Sequence, residues 1–402
     1  MYSKHILVIG AGNDTESAFK TMLENDYYIT FVGAPYFNSY AKLVHQNVIY
    51  DTSTGHDDLY DLLDTINHQH PFDAAVTFSE LDVELTAKIS ERYQLISISP
   101  ETAKLCRNKY LMRTRFEHYD LPQPRFEKVK SADDISSFLH KLNKPAVLKP
   151  TDNGGSVGVI KITGPDDQQI SEKYQDTLNV SKNQTLLIEE FIEGEEFSIE
   201  VIVQHAVPQV ITVVDKAVAG KDQQHFVEVG HTVPSLQPVE VQEALKELAI
   251  KGVNALGMEN GVAHVEIKKS NNTYYLIEIG ARSAGDNIPL LIEKSYEWNY
   301  YNAILDVALG QKYSSIPDKA SYYASISYFF GDTGKRVTSF PKIKDYHQEV
   351  EEIKYSVKIG DTIRPLHANY TRMGYVMFKV REPYNIKDMQ TVFTKKFSPM
   401  TE

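Results

Sequence analysis

Residues 264–289 read H-V-E-I-K-K-S-N-N-T-Y-Y-L-I-E-I-G-A-R-S-A-G-D-N-I-P, and no other stretch constrains the chain as tightly. Polar His264, Glu266 and Lys268 alternate with apolar Val265 and Ile267, the period of two that a strand imposes. Residues 270–273 supply polar turn chemistry, with Asn271-Asn272 tolerant of positive φ, and residues 274–279 predict the returning strand. Two registers are open. A loop over 271–273 sets Glu266 opposite Glu278, with both carboxylates on one face. A tighter Asn271-Asn272 turn sets Glu266 opposite Ile277 and splits the pair. Adjacent carboxylates shielded from water repel each other and call for a cation. Hard oxygen ligands of this kind suit Mg2+ together with substrate phosphates; two solvated strand glutamates are the plain alternative. Arg282 follows in a run of small residues that can bring a guanidinium close to a carboxylate or phosphate.

A chain of 402 residues is long for one core and predicts two to four domains or subdomains. Its formal net charge of −12 disfavours a broad nucleic-acid or anionic-membrane surface. Cys106 is the only cysteine, which excludes an intrachain disulfide and fits a reducing cytosol. No apolar run approaches the ~20 residues of a membrane helix. The chain is expected to enter its first strand directly, without a signal-peptide apolar region.

Residues 5–9 (H-I-L-V-I), a helix over 15–24 and a strand over 28–33 predict a β-α-β start and a doubly wound parallel sheet. Thr15 stands where a dinucleotide fingerprint needs its third glycine, and no acid ends the second strand. A nicotinamide site is therefore disfavoured. A strand over 72–78 leads to Glu80. It is a candidate for meeting a substrate amine beyond the carboxyl end of the strand, or a helix-start acid. Arg107-Asn108-Lys109 opens another helix, with Lys109 a candidate phosphate contact. A strand over 146–149 carries Lys149 into D-N-G-G-S-V-G. There Gly154, Gly155, Ser156 and Gly158 offer backbone N–H groups to phosphate oxygens. A strand over 159–163 follows and no G-K-[ST] does, so this is not a Walker loop.

A strand over 184–188 runs into E-E-F-I-E-G-E-E-F (189–197). This linker has backbone groups free to pair with an adenine edge, or it is an acidic surface turn. Residues 215–234, containing Gly220, His225, Glu228 and His231, predict a long binding loop or lid. A helix over 239–256 has the cleanest apolar stripe, and another is expected over 290–309. Alternating segments beyond residue 322 predict a small β-rich module.

Lys109, Lys149 with D-N-G-G-S-V-G, E-E-F-I-E-G-E-E, H-V-E-I-K and E-I-G-A-R occur in an order that resembles the ATP-grasp superfamily over nearly the whole chain. The resemblance implies an α/β ATP-grasp fold. Its parts would be an N-terminal doubly wound parallel-sheet domain (1–106), a small subdomain with the glycine loop (107–188), a large subdomain with metal and catalytic residues (189–312) and a β-rich C-terminal module (313–402). It implies that Lys109 and Lys149 hold the phosphates of ATP and that Gly154, Gly155, Ser156 and Gly158 cover them. Glu189 and the backbone of Glu190 and Ile192 would meet adenine beside Phe191, and Glu196 would take the ribose. Glu266 and Glu278 would bind two Mg2+ ions, with Mn2+ as the alternative. Many members carry Asn two residues after the second metal glutamate; Gly280 stands there, leaving one metal with fewer protein ligands.

The E-I-G-A-R-x-A-G form, H-F-V-E-V-G-H (225–231) and the tail look closest to bacterial L-amino-acid ligases. In that narrower resemblance Arg282 would face the reacting carboxylate. Arg282 and Lys149 are the expected catalytic groups, and Glu80, His231, His264 and Arg282 the expected substrate contacts. The implied activity is ATP-dependent joining of a carboxylate, such as an amino acid, to an amine through an acyl phosphate. A carboxylase-like or carrier-loading ligase and a nucleotide-binding protein without turnover are the competing readings. The expected partners are small-molecule carboxylates and amines, with no nucleic acid and no membrane. The expected setting is cytoplasmic, and the resemblance suggests a homodimer.

Overall fold

The computed structural model describes every residue except 1, 13, 35–39, 52–55, 220–225, 342–346 and 367. The chain opens with β1 (Lys4–Ile9), α1 (Glu16–Glu24), β2 (Tyr27–Gly33), β3 (Gln46–Ile49), α2 (Asp57–Gln69), β4 (Ala74–Val76) and α3 (Val83–Arg92). The four strands are parallel, in the order β3-β2-β1-β4. Ile6, Leu7, Val8 and Ile9 are all fully buried, as a parallel strand covered on both faces requires. The chain leaves β1 toward β2 on one side, while β4 joins on the other. The crevice beyond the carboxyl ends of β1 and β4 is thus a topological switch point, where open α/β sheets bind ligands.

Next come α4 (Pro100–Arg107) and α5 (Lys109–His118). Ser99 caps α4, with Pro100 at its first helical position. The Asn108 side chain accepts the N–H groups of Tyr110 and Leu111, so one residue ends α4 and caps α5. A four-stranded antiparallel sheet in the order β5-β8-β6-β7 follows. It comprises β5 (Phe126–Val129), β6 (Ala146–Pro150), β7 (Ile160–Ile162) and β8 (Leu186–Glu190). Helices α6 (Ala132–Leu142) and α7 (Ile170–Val180) pack on it through Ile135, Phe138, Leu139 and Ile170.

The largest sheet has eight antiparallel strands in the order β13-β12-β9-β10-β11-β14-β17-β16. They are β9 (Glu195–Gln204), β10 (Val207–Val218), β11 (Glu228–Val233), β12 (Gly261–Ser270), β13 (Thr273–Gly280), β14 (Tyr323–Phe329), β16 (Val350–Tyr355) and β17 (Gly374–Val380). A separate small ladder pairs β15 (Val337–Ser339) with β18 (Met400–Thr401). Helix α8 (Val239–Ala255) buries Leu245, Leu248, Ala249 and Val253 against Ile199, Val201, Leu276 and Ile279. Helices α9 (Ile288–Tyr296) and α10 (Tyr300–Ala308) share a core with β1, β4 and the large sheet, and α11 (Ile386–Phe397) covers the tail strands. Among the described residues no helix is long and apolar enough to cross a membrane.

Three expectations change. The described residues of 215–234 are mostly strand: β10 runs on to Val218 and β11 begins at Glu228. Lys216, Glu228 and His231, polar residues joined in one ion-pair cluster within these strands, mimic loop composition. Gly220 and His225 lie outside the described residues. The helix expected over 290–309 is two helices, broken where Glu297 takes φ of 51° and Asn299 caps α10. The tail strands continue the large sheet, because β14 pairs with both β11 and β17.

Candidate active site

The β12–β13 turn is the tight one, with Ser270 paired to Thr273, yet Glu266 still stands opposite Glu278. A β-bulge reconciles the two, because the register slips by one between Glu266 and Ile267 and leaves Ile277 as the extra residue. Leu276 faces the buried core while Ile277 and Glu278 both line the cavity. The bulged backbone has a partner in Arg113 of α5. Its Nη1 donates to the Leu276 carbonyl at 3.2 Å and its Nη2 to the Ile277 carbonyl at 2.6 Å.

The three sheets and α5 border a cavity of about 700 Å3. At one end, Glu189 is buried between Arg113 at 2.6 Å and Lys149 at 2.7 Å. Burial pushes the Glu189 carboxyl up, but the two cations outweigh it and hold it below its ordinary range. Burial lowers the Lys149 ammonium in turn, against the pull of Glu189. Lys109 reaches Glu278 at 2.8 Å and the Asn153 carbonyl at 2.6 Å, which ties α5 to the glycine loop between β6 and β7. Ser156 Oγ donates to the Phe226 carbonyl at 3.1 Å. The Glu190 and Phe191 N–H groups bond Arg125 and Pro145. The Ile192 carbonyl accepts from Lys268, and Lys161 stands 4.0 Å above the Phe191 ring.

Mid-cavity, the Lys216 side chain is 1% exposed and reaches three carboxylates: Glu196 at 2.9 Å, Glu228 at 2.7 Å and Glu266 at 2.7 Å. Burial alone would lower its ammonium; the three acids raise it well above its ordinary range. A second bulge, with Val229 as the extra residue between β10 and β11, brings Glu228 to the Lys216 side of the sheet. His264 Nδ1 donates to Glu200 Oε1 at 2.6 Å. Burial lowers its imidazole, but Glu200 and Glu266 outweigh that and raise it to about 9.

The opposite end faces the switch-point crevice of the parallel sheet. Glu80 bridges Arg107 at 2.7 Å and Arg282 at 2.8 Å. Burial pushes its carboxyl up, yet Arg282 and Arg107 hold it at about 2. A Cβ at position 280 would stand 2.9 Å from Glu80 Oε2, so glycine there leaves room for the Glu80–Arg282 pair. Arg372 grips Asp286 through both terminal nitrogens at 2.9 and 2.5 Å, and its guanidinium lies 3.6 Å over the Tyr328 ring. His231 is buried behind Glu228 and Asp286, at 3.3 and 3.6 Å. Burial opposes its charge, but these acids raise its pKa.

Residues 142–289 match the family profile described as ATP-grasp domain. That stretch, a little over a third of the chain, is similar to ATP-grasp domains. Over 357 residues it is 28% identical to the alanine–anticapsin ligase of Bacillus subtilis (strain 168), covering 81% of this chain and 75% of that protein. It is also 28% identical over 176 residues to a D-alanine–D-alanine ligase of Neisseria meningitidis, covering 43% of this chain and 56% of that one. In fold it is similar to the crystal structure of the L-amino acid ligase from Bacillus licheniformis, with a TM-score of 0.86, 21% identity and full coverage of both chains.

Most of the residues expected from the sequence line this cavity, from Glu80 and Lys109 through Lys149 and the glycine loop to Glu266, Glu278 and Arg282. Two do not. A Cβ at Gly158 would meet Val180 and Pro150 away from the cavity, and His231 sits behind its two acids. Glu80, expected to meet a substrate amine, already has a guanidinium on each carboxylate oxygen. Lys216, Arg113, Glu228, Asp286, Arg372 and Asp14 were not anticipated as site residues. The strand alternation of β10 was the one available signal for Lys216. The others depend on bulges or on contacts between distant segments.

The ligand atoms of Glu196, Glu228 and Glu266 lie within 4.8 Å of one another, with Glu278 in register beside Glu266. This all-oxygen set, neutralised by ammonium groups of Lys216 and Lys109, fits a hard divalent cation.

Proposed function

We propose that this chain is an ATP-dependent ligase that joins the carboxylate of an amino acid to an amine, releasing ADP and phosphate. One observation carries the reading. A bulged hairpin sets Glu266 opposite Glu278 inside a cavity that also holds Lys109, Lys149, Arg282 and the glycine loop. The likeness to ligases that act on alanine supports amino acids as the substrate class.

A carboxylate oxygen attacks the γ-phosphorus of ATP, the bond to the β–γ bridging oxygen breaks, and ADP leaves. The amine nitrogen then attacks the carbonyl carbon of the acyl phosphate, phosphate departs, and the nitrogen loses a proton. The chain's part is positioning and charge neutralisation. Lys109 and Lys149 take phosphate oxygens beneath Gly154, Gly155 and Ser156. The Ile192 backbone and Phe191 hold adenine, with Glu189 beside it and Glu196 at the ribose. Arg282, its Nε fixed by Glu80 and its Nη1 by the Ser283 carbonyl at 2.7 Å, faces charge developing on the transferring or tetrahedral oxygens. Glu266 and Glu278, with Glu228 adjoining, would hold Mg2+, or Mn2+ in its place. Such an ion supplies neutralisation of the phosphate charge when bound. His264 keeps Glu266 in place through its bond to Glu200. ATP as co-substrate agrees with a cytoplasmic reaction.

The test is a screen of amino-acid pairs for ADP release, with mass detection of the condensed product. Stoichiometric ADP and amide are expected. ATP binding without ADP release for any pair would leave a nucleotide-binding protein instead.

A further inference from the structure

Nine carboxylates line the cavity, and eight have a Lys, Arg or His side chain within ion-pair distance. Asp14 is the exception among the described residues. It lies in the turn after β1, at the switch-point crevice of the parallel sheet. Its Oδ2 accepts the Asn287 N–H at 3.0 Å, from the segment that carries Asp286. A Cβ at Gly12 would come within 2.7 Å of Asp14 Oδ1, so the glycine turn makes room for this carboxylate. Burial, reinforced by neighbouring Asp286, raises the Asp14 carboxyl above its ordinary range. Its donors are backbone N–H groups, those of Asn287 and Asp14 itself, and Arg282 acts on it only from beyond ion-pair distance. A cavity carboxylate with no ion-pair partner among the described residues is a seat for a cation that arrives with a ligand.

We propose that Asp14 seats an ammonium group of the amine-donating substrate, and so decides which second substrate the enzyme accepts. The proposal rests on the ligase reading above. The anionic end of the cavity supports it. Asp286 is matched by Arg372, and Glu228 is shared by Lys216 and His231, which leaves the Asp14 charge for the incoming group. The ammonium is either the reacting α-amino group or a second one on the substrate side chain.

Asp14→Asn separates this from a structural role, because the amide oxygen still accepts the Asn287 N–H while the charge is lost. L-alanine serves as donor, with L-alaninamide and L-lysinamide as acceptors that carry no carboxylate of their own. In Asp14→Asn the KM for the acceptor rises about thirtyfold, as expected for loss of a charged hydrogen-bond partner. The KM for ATP and the melting temperature stay as in the wild type, and Asp14→Glu recovers part of the loss. An effect on both amides assigns the α-ammonium; an effect on L-lysinamide alone assigns the side-chain ammonium. An unchanged acceptor KM overturns the proposal while leaving the ligase reading intact. Calorimetric titration of the two amides into both proteins reads the seat without turnover. If the wild type releases no ADP, the ligase reading falls. Equal binding to both proteins, or binding to neither, overturns the Asp14 assignment independently.

Discussion

The two ends of the cavity are built by opposite rules. At the glycine-loop end, charges meet across neighbouring strands and the adjoining helix: Glu189 with Lys149 and Arg113, and Glu278 with Lys109. At the end facing the parallel sheet, the partners sit beyond strand ends and in connecting segments. Asp14 follows β1, Glu80 follows β4, Asp286 follows β13, and Arg372 belongs to the tail. The first end rests on paired strands and a helix and suits a ligand of fixed shape. The second is an assembly of loops, where a change at one residue alters recognition without touching the sheet scaffold.

That contrast is sharpest at Lys216, which belongs to the scaffold. Lys216→Met would take the shared ammonium from three part-buried carboxylates, leaving them Lys268, His231 and His264 alone, and should cost about 3 kcal/mol. A large drop in melting temperature together with loss of ADP release is expected; a stable, active variant would break the comparison. Arg282→Lys keeps the charge but not the Nε and Nη1 geometry. It should lower kcat by about a hundredfold with little change in ATP affinity, read by steady-state kinetics. Arg372→Gln removes the guanidinium from Asp286 and should raise the KM of an amino-acid substrate about tenfold, leaving that of ATP unchanged. If the KM of ATP moved instead, the division between the ends would not hold. Gly280→Asn, smallest of the four, crowds Glu80 and should cost severalfold in kcat. A second change, Glu80→Ala, should abolish that increment in a double-mutant cycle.

The difference between the ends also explains what the sequence disclosed. The parallel β-α-β start, the α8 stripe and the order of motifs from Lys109 to Arg282 are all local patterns, readable as period or composition. The hairpin was undecided, because a strict period of two from the tight Asn271-Asn272 turn sets Glu266 against Ile277. Only the bulge, stabilised by Arg113 some 160 positions earlier, restores the Glu266–Glu278 pairing. Val229 plays the same part for Glu228. No periodicity reveals a bulge whose cause is a distant side chain, and none shows that Arg372 reaches Asp286 across 86 positions.

The central claim is that a substrate carboxylate attacks ATP. Its most direct test is to supply the amino-acid donor with 18O in the carboxylate and to analyse the released phosphate by mass spectrometry. Transfer of one 18O to phosphate for each amide formed is the predicted result. Amide formed with unlabelled phosphate would contradict the account.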